Sequence, residues 1–211
     1  MARKILAGAF LAVLVLSSGC LGFILGDSLA FSANKATVGN EALSGAGYEK
    51  ASVERKTAKR TFEAAGQSRE VKVTNWVAQY EKSVGVSGIA EGTVSKFVVI
   101  SSPKVEVAGK TFNPLAKYDD RKLVERFVSG YANVDDLRKT GSKRVTMLGT
   151  KTEVSEFTTT AKSNGATIEV SIHVAKVKHG DDIVVAMAIY PKQLDESEGV
   201  YRLVEGVEHE K

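Results

Sequence analysis

Alternation of apolar and polar residues dominates the second half of the chain. In Thr167–Val177, Ile168, Val170, Ile172 and Val174 fall on one side and Glu169, Ser171 and His173 on the other. That period of two predicts a strand with one buried face, and His173 on its wetter face. Val145–Leu148 and Glu153–Ala161 predict two further strands turning at Gly149, and Asn164-Gly165 is a strong hairpin signal. Ile183–Tyr190 is apolar on both sides and stops at Pro191, which places it centrally. His179-Gly180-Asp181-Asp182 makes the turn before it.

The first half gives a similar reading. Val53–Glu63 and Arg69–Thr74 predict a hairpin turning at Gly66. Lys96–Ser102 predicts a buried strand stopped by Pro103, and Val105–Ala108 with Lys110–Phe112 a tight turn at Gly109. Four stretches carry helical spacing. Val38–Leu43 predicts one or two turns. Trp76, Val77, Tyr80 and Val84, behind Asn75 as a cap, predict a short helix docked on the sheet. Leu123, Phe127 and Tyr131 recur every four residues behind Asp119 or Asp120 as a cap, and Gly130 weakens the end of this helix. Glu196–Glu208 places Val200, Leu203, Val204 and Val207 on one stripe. The expected fold is α+β, an antiparallel sheet flanked by helices.

The N-terminus changes the picture most. Arg3 and Lys4 precede the 12-residue apolar run Ile5–Leu16, then small residues lead to Cys20, the one cysteine in the chain. A basic start, a short apolar core and small residues before a cut are the parts of an export signal. As a helix the run reaches ~18 Å, short of a ~30 Å hydrocarbon layer. Leu16-Ser17-Ser18-Gly19-Cys20 is similar to a lipobox, which implies cleavage after Gly19 and a lipid on Cys20; the bulky aliphatic stands four residues before the cysteine, where the usual pattern has three. The alternative is an uncleaved anchor over Ile5–Leu25, ~31 Å long as a helix. Both place Asp27–Lys211 on the extracytoplasmic face. The expected division is 1–19 signal, 20–32 tether and 33–211 one globular domain.

Charge and chemistry narrow the function. Without Arg3 and Lys4 the chain has 27 basic and 25 acidic side chains, a balance that argues against nucleic-acid binding. The densest basic stretch, Arg55-Lys56-Thr57-Ala58-Lys59-Arg60, reads as the wet face of a hairpin or as a contact for membrane headgroups. No cofactor is implied. Gly-x-Ser-x-Gly and phosphate-loop patterns are absent from the sequence. Asp119-Asp120 and Asp135-Asp136 are adjacent pairs that suit capping better than acid–base work. His179, Asp181 and His209 are candidate metal ligands if the last helix crosses the meander; a turn and a helix end explain the same residues. Trp76 and Tyr80 are candidate groove residues, or core.

Five strings spread over the chain, TNWVAQYEK, SSPKVEVAGKTFNPLA, VTMLGTKTEVSEF, HGDDIVVAMAIYP and GVEH, resemble an uncharacterised lipoprotein family of halophilic archaea, a domain of unknown function. The chain departs from the strongly acidic composition typical of salt-accumulating hosts. The element pattern is also similar to PsbP/Mog1-like α/β/α sandwiches, which implies an assembly factor or binding module. The expected function is a lipid-anchored, non-enzymatic binding or scaffold module on the cell membrane, with membrane lipid and an envelope protein as partners. A small envelope hydrolase, metal-assisted or not, and a signal-anchored sensor are the alternatives.

Overall fold

The computed structural model describes residues 29–64, 67–83, 93–107, 110–111, 113–129, 132, 136–163 and 166–210. The leader with Gly19 and Cys20, Gly66, Val84, Gly109, Gly130, Tyr131, Asp135 and Asn164-Gly165 lie outside the described residues. In order, the elements are β1 (Leu29–Ser32), β2 (Ala36–Val38), α1 (Asn40–Ala46), β3 (Glu49–Ala64), β4 (Gln67–Ser83), β5 (Thr93–Pro103), β6 (Glu106–Val107) and β7 (Lys110–Thr111). Then come α2 (Pro114–Lys117), α3 (Asp120–Val128), β8 (Arg138–Met147), β9 (Thr150–Ser163), β10 (Ala166–His179), β11 (Asp182–Pro191), a 3-10 turn (Lys192–Leu194), α4 (Ser197–Glu205) and β12 (Val207–His209).

One eight-stranded sheet organises the molecule, in the order β8, β9, β10, β11, β5, β4, β3. β1 joins the same side of β4 as β5, beside Val71–Thr74, while β5 takes Trp76–Ser83. β1 is parallel to β4 and every other pairing is antiparallel, so the sheet is mixed. The β8–β9 turn has positive φ at both Leu148 and Gly149, as a two-residue hairpin turn matched to strand twist needs. β11 sits between β5 and β10 and is buried on both faces, as its continuous apolar run predicts.

Strand alternation sends side chains to two faces. On the first, Tyr80, Phe97, Val99, Val184 and Ala186 pack with Leu43 of α1 and Val200, Leu203 and Val204 of α4. β12 pairs with β2 on this side and closes it. α1 and the end of α4 approach so closely that a Cβ at Gly206 would lie 2.3 Å from that of Ala42. On the second face, Leu123, Val124 and Val128 of α3 pack on Ile172, Val174, Val185 and Met187. Asp119 caps α3 by accepting from the Lys122 N–H at 2.7 Å.

The expected α/β/α sandwich is not the fold. The molecule is mostly β, and its helices are seven, four, nine and nine residues long against strands of up to 17. They cover patches of the sheet rather than forming layers. Three segments explain the difference. Trp76–Val84 is not a helix: through Ser83 it continues β4, hydrogen-bonded to β3 and β5. Its Trp76, Ala78 and Tyr80 also fit a period of two, and pairing on both sides decides between the periods. The last helix stops at Glu205, and Val207 enters β12. Val38 belongs to β2, with the helix beginning at Asn40.

Candidate functional site

The β10–β11 turn and β12 bring His179 and His209 together. Their Nδ1 atoms are 2.9 Å apart, so one ring donates and the other accepts. On its other side, His209 Nε2 lies 3.0 Å from Asp182 Oδ2 and 3.2 Å from Ser101 Oγ. The side chains of His209 and Asp182 are 3% and 4% exposed. Asp182 also accepts from the Asn34 N–H at 2.8 Å. A neutral His209 that donates from Nε2 to Asp182 therefore accepts at Nδ1 from His179.

Of the expected trio, His179 and His209 meet, and the carboxylate beside them is Asp182. The side chain of Asp181 is exposed, while its backbone carbonyl accepts from the Lys104 N–H. The two nitrogens of His209 face opposite directions, so Asp182 and His179 do not converge on one point. Among the described residues no three such side chains are placed to hold a metal ion. Ser101 and Asp182 also meet the same nitrogen, whereas a nucleophile–base–carboxylate relay needs them on different ones. The cluster acts as a clasp that joins the segment after β1, the β10–β11 turn and the last strand.

The second face carries a different feature. α3 crosses only part of it, and an apolar groove lies along the sheet beside it. Two lobes, with cavity volumes of about 290 and 480 Å³, share Val77, Ile100 and Phe127 as common wall. The smaller is floored by Val71 and Val73 of β4 and roofed by Pro114 and Leu115. The larger runs over Val98, Met187 and Ile189. Each volume is on the scale of small-molecule sites. Among its described lining residues the groove has three lysines, Lys56, Lys96 and Lys162, and no carboxylate. Asn75 lines the smaller lobe with its Oδ1 buried away from the cavity and unpaired, and Asn113, on the same lobe, donates from Nδ2 to Ser102 Oγ and the Pro103 carbonyl.

Sequence reading missed this groove because it assigned Trp76–Val84 to a helix lying on the sheet. With that segment in β4, the covering helix disappears and Val77 becomes floor. The available signal was an excess of apolar positions: KFVVISS and Ile183–Tyr190 are apolar on both sides, and too few helical residues exist to cover both.

Trp76 and Tyr80 share the first face, not the groove. Tyr80 is fully buried, and its hydroxyl oxygen accepts from the Val38 N–H at 2.7 Å. Trp76 is half-buried between Arg55 and Lys35, 5.8 and 5.9 Å from its ring, a cation–π arrangement. His173, expected on a wet face, is 3% exposed. α4 covers that face, its Tyr201 meeting the ring edge-on, and Tyr190 Oη of β11 lies 2.7 Å from His173 Nε2. Burial pushes the His173 pKa below its ordinary value, against the opposing pull of Glu156. Burial likewise raises the Tyr190 and Tyr80 pKa values.

Among the described residues no helix is long and apolar enough to cross a membrane. No curated protein matches the chain. The sequence profile of a domain of unknown function, DUF6517, matches residues 35–208, from the clasp segment to the last strand, and the chain belongs to that family.

Proposed function

We propose that this chain is a membrane-tethered, extracytoplasmic binding module without catalytic machinery, and that the groove of the second face is its ligand seat. The leader supports the tether: lipid on Cys20 after cleavage behind Gly19. The observation that carries the binding reading is an apolar floor on which Val73, Val77, Val98 and Ile189 stay partly exposed beside α3. An uncovered apolar surface of this kind marks interaction sites in folded proteins. The hydrolase alternative has less support, since the geometry of the clasp suits neither metal binding nor a relay.

Two measurements test the reading. Mass spectrometry of the membrane form should find residues 1–19 removed and a lipid on Cys20; an intact Met1 would replace the lipid by an uncleaved anchor. The full chain in nanodiscs, irradiated with a diazirine-bearing alkane, should be labelled within β4, β5 and α3. Val77→Trp, which fills the wall common to both lobes, should reduce that labelling at least tenfold. Labelling that ignores the substitution would sink the groove as a ligand seat.

A further inference from the structure

The geometry points to one occupant: the hydrocarbon chain of an anionic bilayer lipid, entering the groove from the end of the sheet at which β1 begins. This rests on the binding reading above and gives it a ligand class. The first support is direction. β1 is parallel to β4 and starts at Leu29 opposite Val71. Its first residue therefore lies toward the β3–β4 connection. Val71 and Val73 are also the floor of the smaller lobe. The smaller lobe and Leu29 are thus neighbours on one strand.

The second support is charge. β11 begins at Asp182, opposite Pro103 of β5, and β5 pairs no further along β4 than Trp76. Beyond that level β3 and β4 continue as a hairpin arm to Ala64 and Gln67, with β1 alongside at Val71–Thr74, about 30 Å for nine residues of strand. From Arg55 to Trp76, the length of this arm, the sequence has six basic and two acidic residues. Its net of +4 exceeds the net of +2 left without Arg3 and Lys4, so the rest of the tethered chain is slightly acidic and the positive excess is concentrated here. Lys59 is exposed on the arm with no ion pair among the described residues, while Lys56 and Lys72 bond Glu54 and Glu70. Lys56 itself stands on the rim of the smaller lobe. Each Lys or Arg near an anionic leaflet contributes about 1 kcal/mol of attraction.

Beyond the arm the apolar floor continues over Val77 and Ile100 into the larger lobe. The two features make one path: charge at the arm and hydrocarbon surface beyond.

The test uses the full chain in nanodiscs with three photoprobes: a diazirine-tailed phosphatidylglycerol, the phosphatidylcholine of the same tail, and the diazirine-bearing alkane. Crosslinked residues are mapped by mass spectrometry, and only labels at Val73, Val77, Val98, Ile100 or Phe127 are counted. The expected result is groove labelling by the anionic lipid at least tenfold above the zwitterionic one. Joint substitution Lys56→Glu, Lys59→Glu and Lys72→Glu, all on exposed or half-exposed strand positions, should bring the two to the same level. Equal labelling by both lipids in the native chain overturns the headgroup assignment. Labelling by the alkane but by neither lipid overturns the lipid as occupant and leaves the binding reading standing. No groove labelling by any probe overturns both. Circular dichroism of the triple variant confirms its fold, and joint Lys50→Glu, Lys151→Glu and Lys178→Glu, exposed positions outside both lobes, which should leave the anionic preference intact, controls for net charge.

Discussion

The two faces of the sheet start from similar apolar strands and end differently. The first is closed by α1, α4 and the β2–β12 pair, and its large side chains, Tyr80, Phe97, Met147 and Leu203, are fully buried. The second has α2 and α3, and beside them Val73, Val77, Val98 and Ile189 remain half-exposed. Burial removes apolar area from water and supplies the main driving force of folding. The first face therefore carries more of the stability, and the second keeps apolar surface that a ligand can cover. The clasp of His179, His209 and Asp182 joins the segment after β1, the β10–β11 turn and the last strand on the first face.

That contrast can be broken most strongly at Leu203. Leu203→Ala leaves a cavity beneath α4 and should cost ~2–5 kcal/mol, read as a lower denaturant midpoint, with groove labelling per folded molecule unchanged. Asp182→Ala removes a buried acceptor from Asn34 and His209 and should cost about 1.5–3 kcal/mol. Faster hydrogen exchange in β2 and β12 than in β9 would mark the effect as local to the clasp; uniform exchange would refute the clasp. On the second face Asp119→Ala, which uncaps α3, should cost about 1 kcal/mol and alter groove labelling, because α3 forms one wall.

The first face should also respond to pH. His173 is buried with its pKa lowered, so the unfolded chain takes up a proton that the folded chain resists. Its stabilising contribution is complete above about pH 6.5, the unfolded value, and is lost as pH falls from there toward the lowered native value. Denaturation midpoints should drop across that window, and His173→Phe should flatten the drop. The smallest stability effect belongs to the open floor: Val98→Thr should change stability by about 0.5 kcal/mol or less yet weaken alkane labelling. A large destabilisation there would show that the second face is as essential to folding as the first.

How far the sequence went can be seen element by element. The strand at Thr167–Val177, the central strand before Pro191, the cap at Asp119 and the turn at Gly149 are all legible, because each depends on local spacing or on residues that set backbone angles. Trp76–Ser83 was not legible, because its apolar residues satisfy both helical and strand periods. The meeting of His179 and His209 could be raised as a condition from sequence, but the carboxylate that joins them, Asp182, is selected by which side of the turn faces His209.

By itself the amino-acid sequence determined the alternation that builds strands and the turn at Gly149, since these are properties of neighbouring residues. Only the tertiary structure decided that β4 runs unbroken past Trp76, that His173 is buried by α4, and that one face of the sheet is left partly uncovered. Those outcomes depend on which distant segments pair and on how much helix is available to cover a sheet, and neither quantity is carried by local spacing.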